Sequence, residues 1–167
     1  MFTAVSMAQT TYTSSQNGYW HNSSTWGGGG VPGAGDTAII DGEIIIIGSD
    51  AESGADVTID RLNFTSGNLT LRNDLTISNS NGNSSTSDGS TLTVESATLT
   101  LSDGNFTNDG TISIGTGMKF VFSSGTGDTF TNTGDLVLAS SSQSFSAILF
   151  NGTYSGNVNN VQYSRYV

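Results

Sequence analysis

The chain has no cysteine, one proline, one histidine and four cationic side chains in 167 residues. Without cysteine there is no disulfide framework and no thiolate metal site, so stability must come from packing and hydrogen bonds. Arg61, Arg72, Lys119 and Arg165 stand against fourteen acidic residues, for a net charge of −10. Nucleic acid is a poor partner for such a surface, because binding needs clustered cations to displace phosphate counterions. No apolar run approaches the roughly 18 residues that span a bilayer, and the densest, Ile44 to Ile47, has the length of a strand. Membrane insertion is therefore not expected. Helix is scarce too: no stretch of about 11 residues keeps a 3.6-residue period between start and stop signals.

Charged residues make up only 11% of the chain, and 22 glycines accompany abundant Ser, Thr and Asn. Thr favours strands, while Asn and Gly favour the turns between them. The resulting pattern is a succession of short strands with two or three inward apolar positions each, among them Val57 to Phe64, Leu75 to Ile77, Thr91 to Val94, Thr98 to Leu101, Lys119 to Phe122 and Val158 to Tyr163.

A repeat fixes the architecture. Phe106-Thr107-Asn108-Asp109-Gly110-Thr111-Ile112 recurs 24 residues later as Phe130-Thr131-Asn132-Thr133-Gly134-Asp135-Leu136, and a shorter echo runs from Phe64 through Gly67 to Leu71. Units of this size cannot bury their own apolar face and must stack. The expected fold is all-β, a single-stranded right-handed parallel β-helix (β-solenoid). With coils of about 21 residues it would have about six to seven of them. Phe64, Phe106 and Phe130 are expected in one inward ladder, with Asn108 and Asn132 at one turn of successive coils and Gly110 and Gly134 at the next. Residues 78–90, nearly all Ser, Asn, Gly and Thr, read as a loop thrown out of the coil.

Residues 9–42 form a distinct head with Trp20, Trp26, Gly27 to Gly30, Pro32, Gly35 and Asp36. The first coil of a solenoid exposes apolar side chains and strand edges, and this aromatic, Gly-rich segment is expected to cap it. The coils then occupy 43–167. Residues 1–8 read either as the tail of a secretory signal, with Ser6 and Ala8 at peptidase spacing, or as a first strand.

The head, from Gly18-Tyr19-Trp20 through Ser24-Thr25-Trp26-Gly27-Gly28 to Val31-Pro32-Gly33-Ala34-Gly35-Asp36-Thr37-Ala38-Ile39-Ile40 and Gly42, resembles the opening of parallel β-helix domains in secreted and cell-surface proteins of the Bacteroidetes type. It is also similar to the eight-glycine domain of animal extracellular proteins. The closing stretch, Tyr154-Ser155-Gly156-Asn157-Val158 with Tyr163-Ser164-Arg165-Tyr166-Val167, resembles the segment that, in the bacterial proteins, ends such a helix and leads into the next domain. The resemblance implies a secreted or cell-surface scaffold, adhesin-like or in contact with carbohydrate, and supplies no catalytic residues.

Chemistry is sparse. Asp50, Glu52, Asp56 and Asp60 are the densest acids, followed by Asp36, Asp41 and Glu43, and their spacing matches no dedicated calcium loop. No cofactor is expected, with calcium as the remaining option. His21 lacks a co-ligand in the sequence, and Asp36 is expected to fasten the Gly-rich turn by accepting backbone N–H bonds. Thr70, Thr93 and Thr100 point outward between apolar neighbours and are expected on one Thr-rich face, without the regular lattice that would order water as ice. The functional expectation is a non-catalytic extracellular structural or adhesive protein, a stalk or adhesin module. The alternatives are a filament subunit that self-associates end to end through its terminal strands, and a domain that binds or acts on surface glycans.

Overall fold

The computed structural model describes residues 8–48, 55–122, 128–140, 147–150, 153–156 and 161–165. Residues 1–7 of the segment read as a signal tail or first strand lie outside these, as do Asp50, Glu52 and the ends of the closing segment. Among the described residues the protein is a parallel β-solenoid, with one four-residue 3-10 helix, Ser23–Trp26.

Seventeen strands build it: β1 (Thr11–Thr13), β2 (Gly18–Tyr19), β3 (Thr37–Ile47), β4 (Val57–Ile59), β5 (Arg61–Leu71), β6 (Leu75–Ile77), β7 (Ser84–Thr86), β8 (Thr91–Val94), β9 (Thr98–Leu101), β10 (Phe106–Asn108), β11 (Thr111–Ile114), β12 (Lys119–Phe122), β13 (Thr129–Asn132), β14 (Asp135–Ser140), β15 (Ala147–Phe150), β16 (Thr153–Gly156) and β17 (Val161–Arg165). Each turn visits three faces in order. The first face holds β1, the opening halves of β3 and β5, then β7, β10, β13 and β16. The second holds β2, the closing halves of β3 and β5, then β8, β11, β14 and β17. The third is the five-stranded sheet β4, β6, β9, β12 and β15.

β3 and β5 run unbroken around the first corner and fuse the first two faces into one twelve-stranded sheet. Their pairing shifts register between Ile40 and Ile44, which is how the corner is turned. Later turns bend at a break instead. Among the described residues five turns are complete, with a partial turn before and after them, fewer than the six to seven expected. The reason is coil length: Phe106 pairs with Phe130 and Thr37 with Arg61, each a step of 24 residues, so fewer coils fit.

Alternation of side chains produces the core. Ile45, Leu69, Leu92, Ile112 and Leu136 stack along the second face, and Val57, Leu75, Leu99 and Phe120 along the third, all buried. On the first face Phe106 and Phe130 stack with ring centroids 5.7 Å apart and planes inclined by 13°, and Tyr154 continues the stack at 6.0 Å from Phe130.

Three expectations need correction. Phe64 is buried but outside that stack: Asn63 pairs with Ser85, and Ser85 with Thr107. Phe64, one residue on, therefore lies in the column of Thr86 and Asn108, because the coil between is 22 residues and not 21. Residues 78–90 are not thrown out of the coil. They contain β7, whose Ser84 and Thr86 are buried along with Asn79 and Ser90. A polar strand is tolerated inside because its partners are present: Ser84 Oγ donates to Asn79 Oδ1 and accepts from Leu62 N, and Thr86 Oγ1 donates to Asn108 Oδ1. Finally, coil structure starts before residue 43: the first complete turn begins at Thr37, since Thr37 to Ile40 already pair with β5, and β1 and β2 add a partial turn ahead of it.

Candidate functional site

The cap is built from the head residues. Trp20 and Trp26 are buried and meet edge to face with centroids 4.7 Å apart, a favoured geometry for ring quadrupoles. Both indole N–H groups are satisfied: Trp20 Nε1 donates to the Pro32 carbonyl at 3.2 Å and Trp26 Nε1 to the Trp20 carbonyl at 2.7 Å. Asn22 caps the 3-10 helix by accepting from Ser24 N, and Gly27 ends it at φ 73°. Asp36 accepts from Gly33 N at 3.0 Å and Thr10 N at 3.1 Å, and its carbonyl receives Asp60 N at 2.9 Å. Gly35 turns the chain just before it at φ 88°.

His21 is within hydrogen-bond reach of the Ala55 carbonyl, 3.1 Å from Nε2, and so ties the cap to the start of β4. A cleft of about 360 Å³ lies between His21, Pro32 to Ala34 and Asp56 to Thr58. Among the described residues no three His, Cys, Asp or Glu side chains converge as a metal site.

Asp60 has the most distinctive electrostatics. Its side chain is fully buried where β4 turns into β5. Oδ1 accepts from Ser80 Oγ at 2.7 Å, Ser78 Oγ at 3.1 Å and Asn81 N at 3.3 Å, while Oδ2 accepts from Gln9 Nε2 at 2.8 Å. Arg61 Nε lies 3.8 Å from Oδ2. Burial alone would push this carboxyl up, but the hydrogen bonds from Ser80, Ser78 and Asn81 outweigh it and hold it below the ordinary value. A carboxylate so fully engaged is a fastener: it joins Gln9, the β4–β5 corner and the 78–81 turn.

Other acids act alike. Asp56 Oδ1 accepts from Asp74 N at 3.1 Å, and Asp74 Oδ1 from Thr98 N at 2.7 Å, so each carboxylate holds the start of the next coil's strand. Asn105 Oδ1 does the same for Thr129 N at 2.8 Å. At the corner between the first and second faces, Thr65 Oγ1 donates to Asp41 Oδ1 and Thr133 Oγ1 to Asp109 Oδ1. Asp88, Asp109 and Asp135 line a groove of about 340 Å³ at this corner.

The asparagine pair of the repeat is brought together as the spacing implies. Asn108 Nδ2 donates to Asn132 Oδ1 at 2.7 Å and to the Asp135 carbonyl at 3.0 Å, and Asn132 Nδ2 reaches Tyr154 Oη at 3.3 Å. With Thr86 this is a buried polar ladder beside the phenylalanine stack. Gly110 and Gly134 stack by necessity: a Cβ on Gly134 would sit 2.0 Å from the Gly110 carbonyl oxygen, and one on Gly110 2.4 Å from that of Ser87.

Sequence reasoning missed Thr86 and Tyr154. The signal was there, since Thr153-Tyr154-Ser155 is a third copy of Thr129-Phe130-Thr131 at the same 24-residue step. It also missed the roles of Ser84, Asn79 and Gln9.

The outward positions of the three faces are in register. On the first face Asn63, Ser85, Thr107, Thr131 and Ser155 form one column. On the second, Thr70, Thr93 and Ser113 align. On the third, Thr58, Thr76 and Thr100 are followed by Val121 and the exposed Leu149. Thr100 is therefore on a different face from Thr70 and Thr93, so the single Thr-rich face expected from these three residues does not exist. All acidic residues except Asp50 and Glu52 are described, and those twelve stand at corners, in the β3 bulge or at strand ends. The mid-face columns carry no charge, as expected where identical positions stack about 4.8 Å apart and like charges would repel.

Compared with protein-family models, curated proteins and solved structures, the chain matches none.

Proposed function

We propose that the chain is a non-catalytic structural and adhesive module of a secreted or cell-surface protein, a rod that presents polar columns to its surroundings. The observation that carries this reading is the in-register alignment of uncharged hydroxyl and amide side chains along the faces. Such columns offer many weak, equivalent hydrogen bonds, and affinity then arises from repetition. The carboxylates support the non-catalytic part: Asp36, Asp56, Asp60, Asp74 and Asp109 all accept hydrogen bonds that hold the fold together. The cap and the buried ladder suit a part that must stay rigid while exposed.

The test compares the full chain as a monomer with the same chain displayed on a tetravalent carrier, on cells and on a glycan panel. Weak monomer binding that rises steeply on the carrier is expected; equal binding in both formats would sink the adhesive reading.

A second reading, a filament subunit, draws on the edges. Among the described residues β15, β16 and β17 each pair on one side only, and contacts that do not close make fibres. Negative-stain images together with a solution mass decide it: filaments with an axial repeat support this reading, and dispersed monomeric rods end it.

A further inference from the structure

We infer that the first face is the adhesive surface and that its ligand is a neutral, hydroxyl-rich extended polymer, a glycan without acid groups, lying along the solenoid axis. This rests on the adhesive reading and narrows it. The three faces are not equivalent. On the first face the polar column gives way to Ile39 on one side, and on the second the hydroxyl column gives way to Ile46 on one side and Val137 on the other. On the third it gives way to Val121 and Leu149, which is 52% exposed. Only the first face keeps five consecutive polar rungs, Asn63, Ser85, Thr107, Thr131 and Ser155.

The rungs recur about every 4.8 Å along the axis, so a polymer aligned with the axis meets a hydroxyl or amide at each step, the Ser85 hydroxyl already donating to Asn63 Oδ1 at 3.3 Å within the column. Hydroxyls and amides both donate and accept, as sugar hydroxyls do. Charge sets the sign of the selection. The column itself is uncharged, while its flanking corners carry Asp41, Asp88 and Asp109 on one side and Asp103 and Asp128 on the other, with Arg61 beside the buried Asp60 at the first rung. An anionic polymer laid on this face would run between two acidic edges and be repelled, whereas a neutral one would not. The aromatic rings of the first-face strands, Phe64, Phe106 and Phe130, point into the core, so binding here is by hydrogen bonds and not by stacking on sugar rings.

The test uses the full chain on a tetravalent carrier, pelleted with insoluble neutral glucan and mannan or captured on immobilised alginate and polygalacturonate. The double variant Thr107→Val and Thr131→Val keeps shape and strand propensity but removes two hydroxyls from the first face. It should bind the neutral polymers about tenfold more weakly, as expected for two ordinary hydrogen bonds. Thr70→Val with Thr93→Val on the second face should change binding less than twofold. If the first-face pair also lowers the melting temperature, Thr107→Ser with Thr131→Ser, which keeps the hydroxyls, should retain binding. Loss from the second-face pair alone overturns the choice of face and leaves the adhesive reading intact. Capture by the anionic polymers at equal or greater strength overturns the neutral-ligand inference. No retention of the wild-type tetramer on any polymer or cell overturns the adhesive reading itself.

Discussion

Gly134 and Asp60 show two ways in which one residue holds a stacked coil. At Gly134 the constraint is space, because the carbonyl of Gly110 in the turn before occupies the volume a Cβ would need. Gly134→Ala should destabilise the protein by about 3 kcal/mol, the upper range for overpacking. Gly29→Ala, where nothing lies within 4 Å, should stay within about 0.5 kcal/mol; equal urea midpoints for the two variants would refute the steric account. At Asp60 the constraint is charge. Its folded value lies below the ordinary 3.8, so the ionised form contributes stability that is present above that value and is lost as pH falls through the folded one. Wild type should therefore lose stability steeply below about pH 4. Asp60→Asn should be less stable at neutral pH and show a flatter acid limb in urea titrations from pH 5 to 2. An unchanged limb would mean that Asp60 is not the group responsible.

Among elements, β7 and its neighbours β10 and β13 are the instructive case. They form a strand column with two inward positions per strand, Ser84, Phe106 and Phe130 at one and Thr86, Asn108 and Asn132 at the other, and the second, wholly polar, is closed from Thr86 through Asn108 and Asn132 to Tyr154. Asn108→Ala removes the middle of this ladder and takes away the acceptor of the Thr86 hydroxyl and the donor to Asn132 Oδ1 and the Asp135 carbonyl. A loss of about 2–4 kcal/mol is expected, and thermal unfolding would show whether a buried polar ladder is this unforgiving. The repeat made β10, β11, β13 and β14 legible in the sequence, because Phe, Asn and Gly recur at one step and each meets its counterpart. β7 was not legible: Ser84-Ser85-Thr86 has no apolar residue to mark an inward face, and burial of serine depends on partners such as Asn79 that only the folded coil brings near. The cap lay between these extremes. Its tryptophans announced burial, but the roles of Pro32 as acceptor and of Gln9 as a tether to Asp60 are long-range contacts that no local pattern encodes. The same holds for Phe64, whose column is decided by the lengths of the intervening turns.

For the molecule as a whole, charge is sorted by position. Among the described residues the mid-face columns are neutral and the corners acidic, so the acidic excess of this chain, whose net charge is −10, is concentrated there along the edges. Carboxylates in successive turns lie well within the roughly 10 Å screening length of 0.1 M salt. Self-repulsion along the edges should be relieved by salt, and the melting temperature should rise by a few degrees between about 0.01 and 0.15 M sodium chloride. A flat or falling curve would mean that the corner hydrogen bonds already neutralise these groups.

The 24-residue step between the stacked phenylalanines has a consequence for how such a chain can change. A single inserted residue inside a strand turns its core side outward, whereas a whole copied turn, such as residues 106–129, offers its neighbours the same phenylalanine, asparagine and glycine that they already contact. Each such duplication would lengthen the molecule by about 4.8 Å without altering the cap. Reach is thus inherited in whole units, as a copy number, and gene duplication and deletion are the natural means of adjusting it.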